Sequence, residues 1–140
     1  MRSVELPPVE LPPDVSALDP RTRDTFLDLF ERPLSDERTF ALHVAQYREL
    51  VHHASATNDF IDVPLADRLA EVCQALLGSV TPETPEPRRR LIQAGVRYFL
   101  MADDADDDLA SASRFDDDVR VMNVVTTALG RADLEIVGSA

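Results

Sequence analysis

Eight aspartates stand between Asp103 and Asp118, inside the stretch YFLMADDADDDLASASRFDDDVRVMN that runs from Tyr98 to Asn123. Carboxylates at that density can do two kinds of chemistry. Hard oxygen ligands drawn from two chain segments can hold Mg²⁺ or Ca²⁺. A concentrated negative field can instead dock a basic protein surface. A third reading is structural: carboxylates cap a helix start and the rest are solvated. Asp116, Asp117 and Asp118 suit it, because acids at a helix N-terminus accept orphan N–H groups and meet the positive end of the dipole. Asp103 and Asp104 do not, since they close the preceding helix, where the dipole disfavours anions. The spacing is not that of an EF-hand. Counting from Asp104 puts acids at the first, third and fifth positions, but Leu109 at the glycine position and Phe115 at the bidentate-acid position.

The other reactive side chains are sparse. His43 and His52 are nine residues apart on one expected helix and so face opposite sides. His52 and His53 are adjacent and cannot make the i, i+4 zinc pair. Cys73 is the only cysteine, which excludes an intrachain disulfide and fits a reducing cytoplasm. It lies on an apolar stripe, where a thiol is ordinarily inert. Every one of the 14 basic residues is arginine, so neither a Schiff-base lysine nor a P-loop lysine is available. Arg88, Arg89 and Arg90 open a helix, where they are expected to pair with Glu83, Glu86 or the aspartates. No nucleophile elbow, phosphate loop or CxxC occurs. These features favour a non-catalytic protein.

The formal net charge is −12 over 140 residues, and it is unevenly spread. Residues 1–100 carry 11 arginines against 16 acids, and residues 101–140 carry 3 against 10. Such a field disfavours direct contact with nucleic acid backbones or anionic membranes. It favours a cation, a basic protein surface, or the arginines of a second copy in a homo-oligomer. No uncharged run approaches the ~20 residues needed to span a bilayer. The opening MRSVELPPVELPP has no apolar signal core, so no secretory signal is expected.

Helices must position these residues. The chain has 4 glycines and 6% aromatic residues, which favours an all-α single domain over a strand-rich one. VELPP repeats at Val4–Pro8 and Val9–Pro13, predicting an extended Pro-rich arm over residues 1–18, with a helical domain over 19–140. Asp19–Pro20 predicts a first helix start, and Pro33 its stop. Ser35 is the expected cap of the second, with Phe40, Val44, Tyr47, Val51 and Ala54 as one helical stripe. The third is expected over Pro64–Leu77, capped by Asp62 and closed by Gly78 at C′. The fourth, about Arg88–Ala102, is apolar nearly all round and should be central. The fifth covers about Asp117–Leu129 and ends at Gly130. The tail after Asp133 could be extended or one more turn.

The fourth and fifth helices with their acidic connection resemble the YkvA-like domain, a bacterial family of unknown function, over roughly residues 91–129. The family pattern is an apolar helix ending in an aromatic, then P-x-D-x-I-P-D, then P-x-x-G-x-x-D-D opening a second helix. Tyr98 and Phe99 match the helix end, Asp104 and Asp108 the spaced acids, and Asp117 and Asp118 the closing pair. Ala102, Asp107 and Ser111 stand where the family has prolines. The resemblance implies a small helical unit that gathers acids at one hairpin, about 88–130. The expected metal ligands are therefore Asp104, Asp108, Asp117 and Asp118, with Mg²⁺ or Ca²⁺ as the cation. The expected interaction surface is Asp103, Asp106, Asp107 and Asp116.

Overall fold

The computed structural model describes residues 15–59, 61–101 and 116–136. Among them are five α-helices and no strand: α1 (Pro20–Phe30), α2 (Glu37–Ser55), α3 (Val63–Gly78), α4 (Glu86–Met101) and α5 (Asp116–Ala128). A 3-10 turn, Ala132–Leu134, follows. The protein is all-α, as its composition implies. The VELPP repeats lie outside the described residues. The end of the expected arm does not: Leu18 turns back to hydrogen-bond the Val15 carbonyl and is buried against the core.

Helix α4 is the centre, with the other four helices packed around it. Its run Leu91–Val96 is buried throughout, which explains why it reads as apolar on every side. The second-helix stripe is the core face of α2: Phe40, Val44, Tyr47 and Val51 are all buried. There the Tyr47 ring meets Phe99 of α4 edge-on, with centroids 5.0 Å apart. Leu69, Val72, Cys73 and Leu76 do the same for α3. Gly95 lets α4 and α5 approach closely. A Cβ there would lie 3.0 Å from Val125 Cγ2 and 3.5 Å from the Met122 side chain.

Two local expectations need correction. The cap of α2 is Asp36, whose carboxylate accepts the Arg38 N–H at 3.1 Å, and not Ser35. The Ser35 hydroxyl instead accepts from Arg97 at 3.2 Å, and its backbone is bound by Gln93. Gly78 is the last residue of α3, not the residue beyond it, and α3 closes on Ser79 at φ −84°. The left-handed glycine is Gly130, at φ 74°, just after α5. The extra turn after α5 is Ala132–Leu134, so of the LEIV stretch only Leu134 takes part in it. The last described residue of the stretch, Ile136, is then clamped by Asn123, whose amide accepts its N–H at 2.8 Å and donates to its carbonyl at 2.9 Å.

Candidate functional site

Helices α4 and α5 run antiparallel. The Arg88 guanidinium at the start of α4 reaches the Leu129 carbonyl at the end of α5, at 3.3 Å. A cation there meets the negative end of the α5 dipole. At the other end of the pair, negative charge gathers. Asp116 and Asp117 are exposed in the first turn of α5, and Asp118 is buried, at 3% exposure. Asp117 is held by Arg120 one turn on, at 3.1 Å. Tyr98, near the end of α4, registers this field. Burial pushes its phenol up, and the carboxylates of Asp117, Asp118 and Asp19 push it further, against a hydrogen bond from Thr22. The N-terminal ends of α1 and α5 thus meet the C-terminal end of α4 at one acidic pole.

Of the expected metal ligands, Asp117 and Asp118 belong to this pole, while Asp104 and Asp108 lie outside the described residues. So do Asp103, Asp106 and Asp107 of the expected interaction surface; Asp116 is exposed at the pole. Among the described residues no three His, Cys, Asp or Glu side chains come together in a way that could hold a metal ion. Cys73 is fully buried. Burial pushes its thiol far above the ordinary range, and the nearby Asp118 carboxylate adds to the effect. Both effects favour the thiol over the thiolate that nucleophilic attack needs.

Of the three arginines that open α4, one finds an expected partner among the described residues. Arg90 does pair with Glu86, at 2.9 Å. Arg89 instead grips Glu37 of α2 with two hydrogen bonds, at 2.8 and 2.9 Å. Burial pushes the Glu37 carboxyl up, but the bonds from Arg89 and Gln93 outweigh it and hold the group below its usual range. Gln93, fully buried, also binds both backbone groups of Ser35. Arg97 donates to the Pro33 carbonyl at 2.7 Å and lies over the Phe40 ring at 5.2 Å. Arg90 donates to the Arg32 carbonyl at 3.0 Å. Three side chains of α4, those of Arg90, Gln93 and Arg97, thus satisfy the link between α1 and α2, while Arg89 ties α4 to the first residue of α2. The one hint in the sequence was Gln93, a lone amide in an otherwise apolar run.

A second polar group joins α2 to α3. Asp67 accepts from Arg48 Nε at 2.9 Å and meets His52 Nε2 at 2.7 Å. Burial pushes its carboxyl up, and its hydrogen bonds to His52 and Arg48 outweigh that and hold it low. An Asp–His pair can serve a hydroxyl nucleophile, but the adjacent Ser55 hydroxyl donates to the His52 carbonyl at 2.7 Å. The arrangement is a tie between helices. A cleft of about 490 Å³ opens between the start of α2 and the end of α3. Its polar walls are internally bonded: Glu37 to Arg89, and Gln74 to the Ala41 carbonyl at 2.9 Å.

The fold and its acidic pole define an all-α bundle whose polar interior groups serve structure. Set against known protein families, characterised proteins and solved structures, the chain matches none of them. Among the described residues no helix is long and apolar enough to cross a membrane.

Proposed function

We propose that the protein is a soluble, non-catalytic interaction or regulatory protein of the YkvA-like type, acting in the cytoplasm, whose acidic pole binds a basic protein surface. One observation carries the reading. The α4–α5 pair brings exposed Asp116 and Asp117 to the same end as Tyr98 and Asp19, beside the sequence positions where five further aspartates follow α4. A field of one sign at one pole steers a partner of opposite charge and sets its orientation. The inertness of Cys73 and the internal bonding of Glu37, Asp67 and Gln93 support a binding role over a catalytic one. An inhibitor or immunity-type protein that covers a basic surface is a special case of the same chemistry.

The test uses a fluorescently labelled oligo-arginine peptide. Saturable binding is expected, with an on-rate that falls steeply as salt rises. Asp106→Asn, Asp107→Asn and Asp116→Asn should weaken it together without changing the melting temperature. Equal binding by that triple variant would sink the proposal. A parallel titration with Mg²⁺ or Ca²⁺ separates the other reading, a divalent site at Asp104, Asp108, Asp117 and Asp118. A saturable rise in melting temperature for one ion, abolished by Asp104→Asn, would favour it.

A further inference from the structure

The link between α3 and α4 writes the same three residues twice: Thr81–Pro82–Glu83, then Thr84–Pro85–Glu86. Each threonine precedes a proline. Proline biases the residue before it toward extended backbone, the form in which a serine/threonine kinase reads its substrate. The two hydroxyls are not equivalent. Thr81 and Pro82 are exposed. The Thr81 hydroxyl accepts the Glu83 N–H at 3.2 Å, a solvent-exposed bond of the kind that opens at little cost. Thr84 is half-buried, and its hydroxyl accepts the Thr81 N–H at 2.8 Å.

Thr81 also lines the cleft of about 490 Å³, and so does Arg38, in the first turn of α2. Among the described residues the Arg38 guanidinium makes no hydrogen bond or ion pair, in a chain with 14 arginines and 26 acids. The other charges of the wall are spoken for. Glu37 is closed on Arg89 and Gln93, and Asp36 accepts the Arg38 backbone N–H at 3.1 Å. Arg38 is therefore a cation without an anion, on the same cleft as an exposed hydroxyl that precedes proline.

We propose that Thr81 is a phosphorylation site and that Arg38 receives the phosphate. Thr81 Oγ1 attacks the γ-phosphorus of ATP held by a proline-directed kinase. The bond from that phosphorus to the β–γ bridging oxygen breaks, ADP leaves, and the hydroxyl proton passes to the kinase's base. The product carries close to two negative charges and three acceptor oxygens. A guanidinium is the side chain that answers such a group in forked geometry, and the positive end of the α2 dipole adds to the attraction. The phosphate thus ties the α3–α4 link to the first turn of α2 and closes the mouth of the cleft. This site lies at the N-terminal end of α4. The acidic pole lies at the other end, so the inference stands apart from the proposed function.

The test incubates the whole chain with a proline-directed serine/threonine kinase and Mg–ATP, beside a synthetic peptide of residues 79–87. The chain should gain one phosphate, and fragment mass spectrometry should place it on Thr81. Thr81→Val should lose it, and Thr84→Val should keep it. The melting temperature of the phosphorylated chain should rise by roughly 2–4 °C. Arg38→Gln should take up phosphate as the parent does but show no rise. That variant keeps the backbone N–H that Asp36 accepts, so the start of α2 is retained. Phosphate on the peptide but not on the folded chain would mean that the fold hides Thr81, and overturns the inference. So does a peptide that takes none, or a chain labelled on Thr84 instead. A melting temperature that falls would mean that Asp36 and Glu37 repel the phosphate, and a rise that survives Arg38→Gln would mean that Arg38 is not its receptor. Either result overturns the pairing.

Discussion

Gln93 of α4 holds Ser35, 58 residues away, by both of its backbone groups: the Ser35 N–H donates to Oε1 at 2.9 Å, and Nε2 donates to the Ser35 carbonyl at 2.8 Å. The same Nε2 reaches Glu37 Oε2 at 2.6 Å. One buried amide therefore supplies the hydrogen bonds that the link between α1 and α2 would otherwise take from water.

Replacing Gln93 with leucine should destabilise the protein by about 1–3 kcal/mol, because it removes the partner of a part-buried peptide N–H and carbonyl. Ser35→Ala should cost well under 1 kcal/mol, since the contact runs through the Ser35 backbone and only the hydroxyl contact to Arg97 is lost. Urea unfolding of the two variants checks the contrast. Equal losses would mean that the serine side chain carries the link.

Acid should loosen the bundle through Glu37 and Asp67. Both carboxyls are held below their ordinary values, 4.5 and 3.8, by hydrogen bonds from arginine and a neighbouring side chain. A depressed carboxyl stabilises the fold above its unfolded value and loses that contribution as pH falls through its folded value. Stability should therefore be flat near neutrality and decline below about pH 4.5. Glu37→Gln should lower stability near neutrality and flatten the acid decline. Melting temperature against pH, for the parent and this variant, reads both effects.

Gly95→Ala sets helix propensity against packing. Alanine gains about 1 kcal/mol in a helix interior, but its Cβ would press on Val125 Cγ2 at 3.0 Å across the α4–α5 contact. Overpacking costs about 1–3 kcal/mol, so a net loss of roughly 1 kcal/mol is expected. The loss should shrink when Val125→Ala is made in the same chain. A double-mutant cycle measures that coupling.

Two other glycines should respond in opposite ways. Gly78 closes α3 in ordinary helical geometry, and a Cβ added there would have nothing within 4 Å, so Gly78→Ala should stabilise by about 0.5–1 kcal/mol. Gly130 sits at φ 74°, where a side chain is strained, and Gly130→Ala should destabilise by about 1 kcal/mol. Thermal melts of both variants test the assignment of the helix ends.

Cys73 should be silent toward a thiol reagent in the native protein. Its reaction rate should instead follow unfolding, because only the opened chain offers a thiolate. Adding urea below the transition should raise the rate in step with the unfolded fraction. Prompt labelling without urea would contradict the buried site.

The five helices were legible in the amino-acid order because each is set by residues within a turn or two. Phe40, Val44, Tyr47 and Val51 repeat at the helical period, and Asp62 and Pro20 stand where a chain enters a helix. The central place of α4 was legible too, from an apolar surface too broad to face one neighbour. What tertiary structure alone decided concerns polar groups. Ser35 is by type as good a cap as Asp36, yet Asp36 caps α2 and Ser35 is held by an amide 58 residues away. Arg89 had acids close by in sequence, yet its fork closes on Glu37, 52 residues away. Helical periodicity reports which face is buried, because burial averages over many neighbours. A hydrogen bond needs one donor and one acceptor within about 3 Å, and only the packed bundle brings such pairs together.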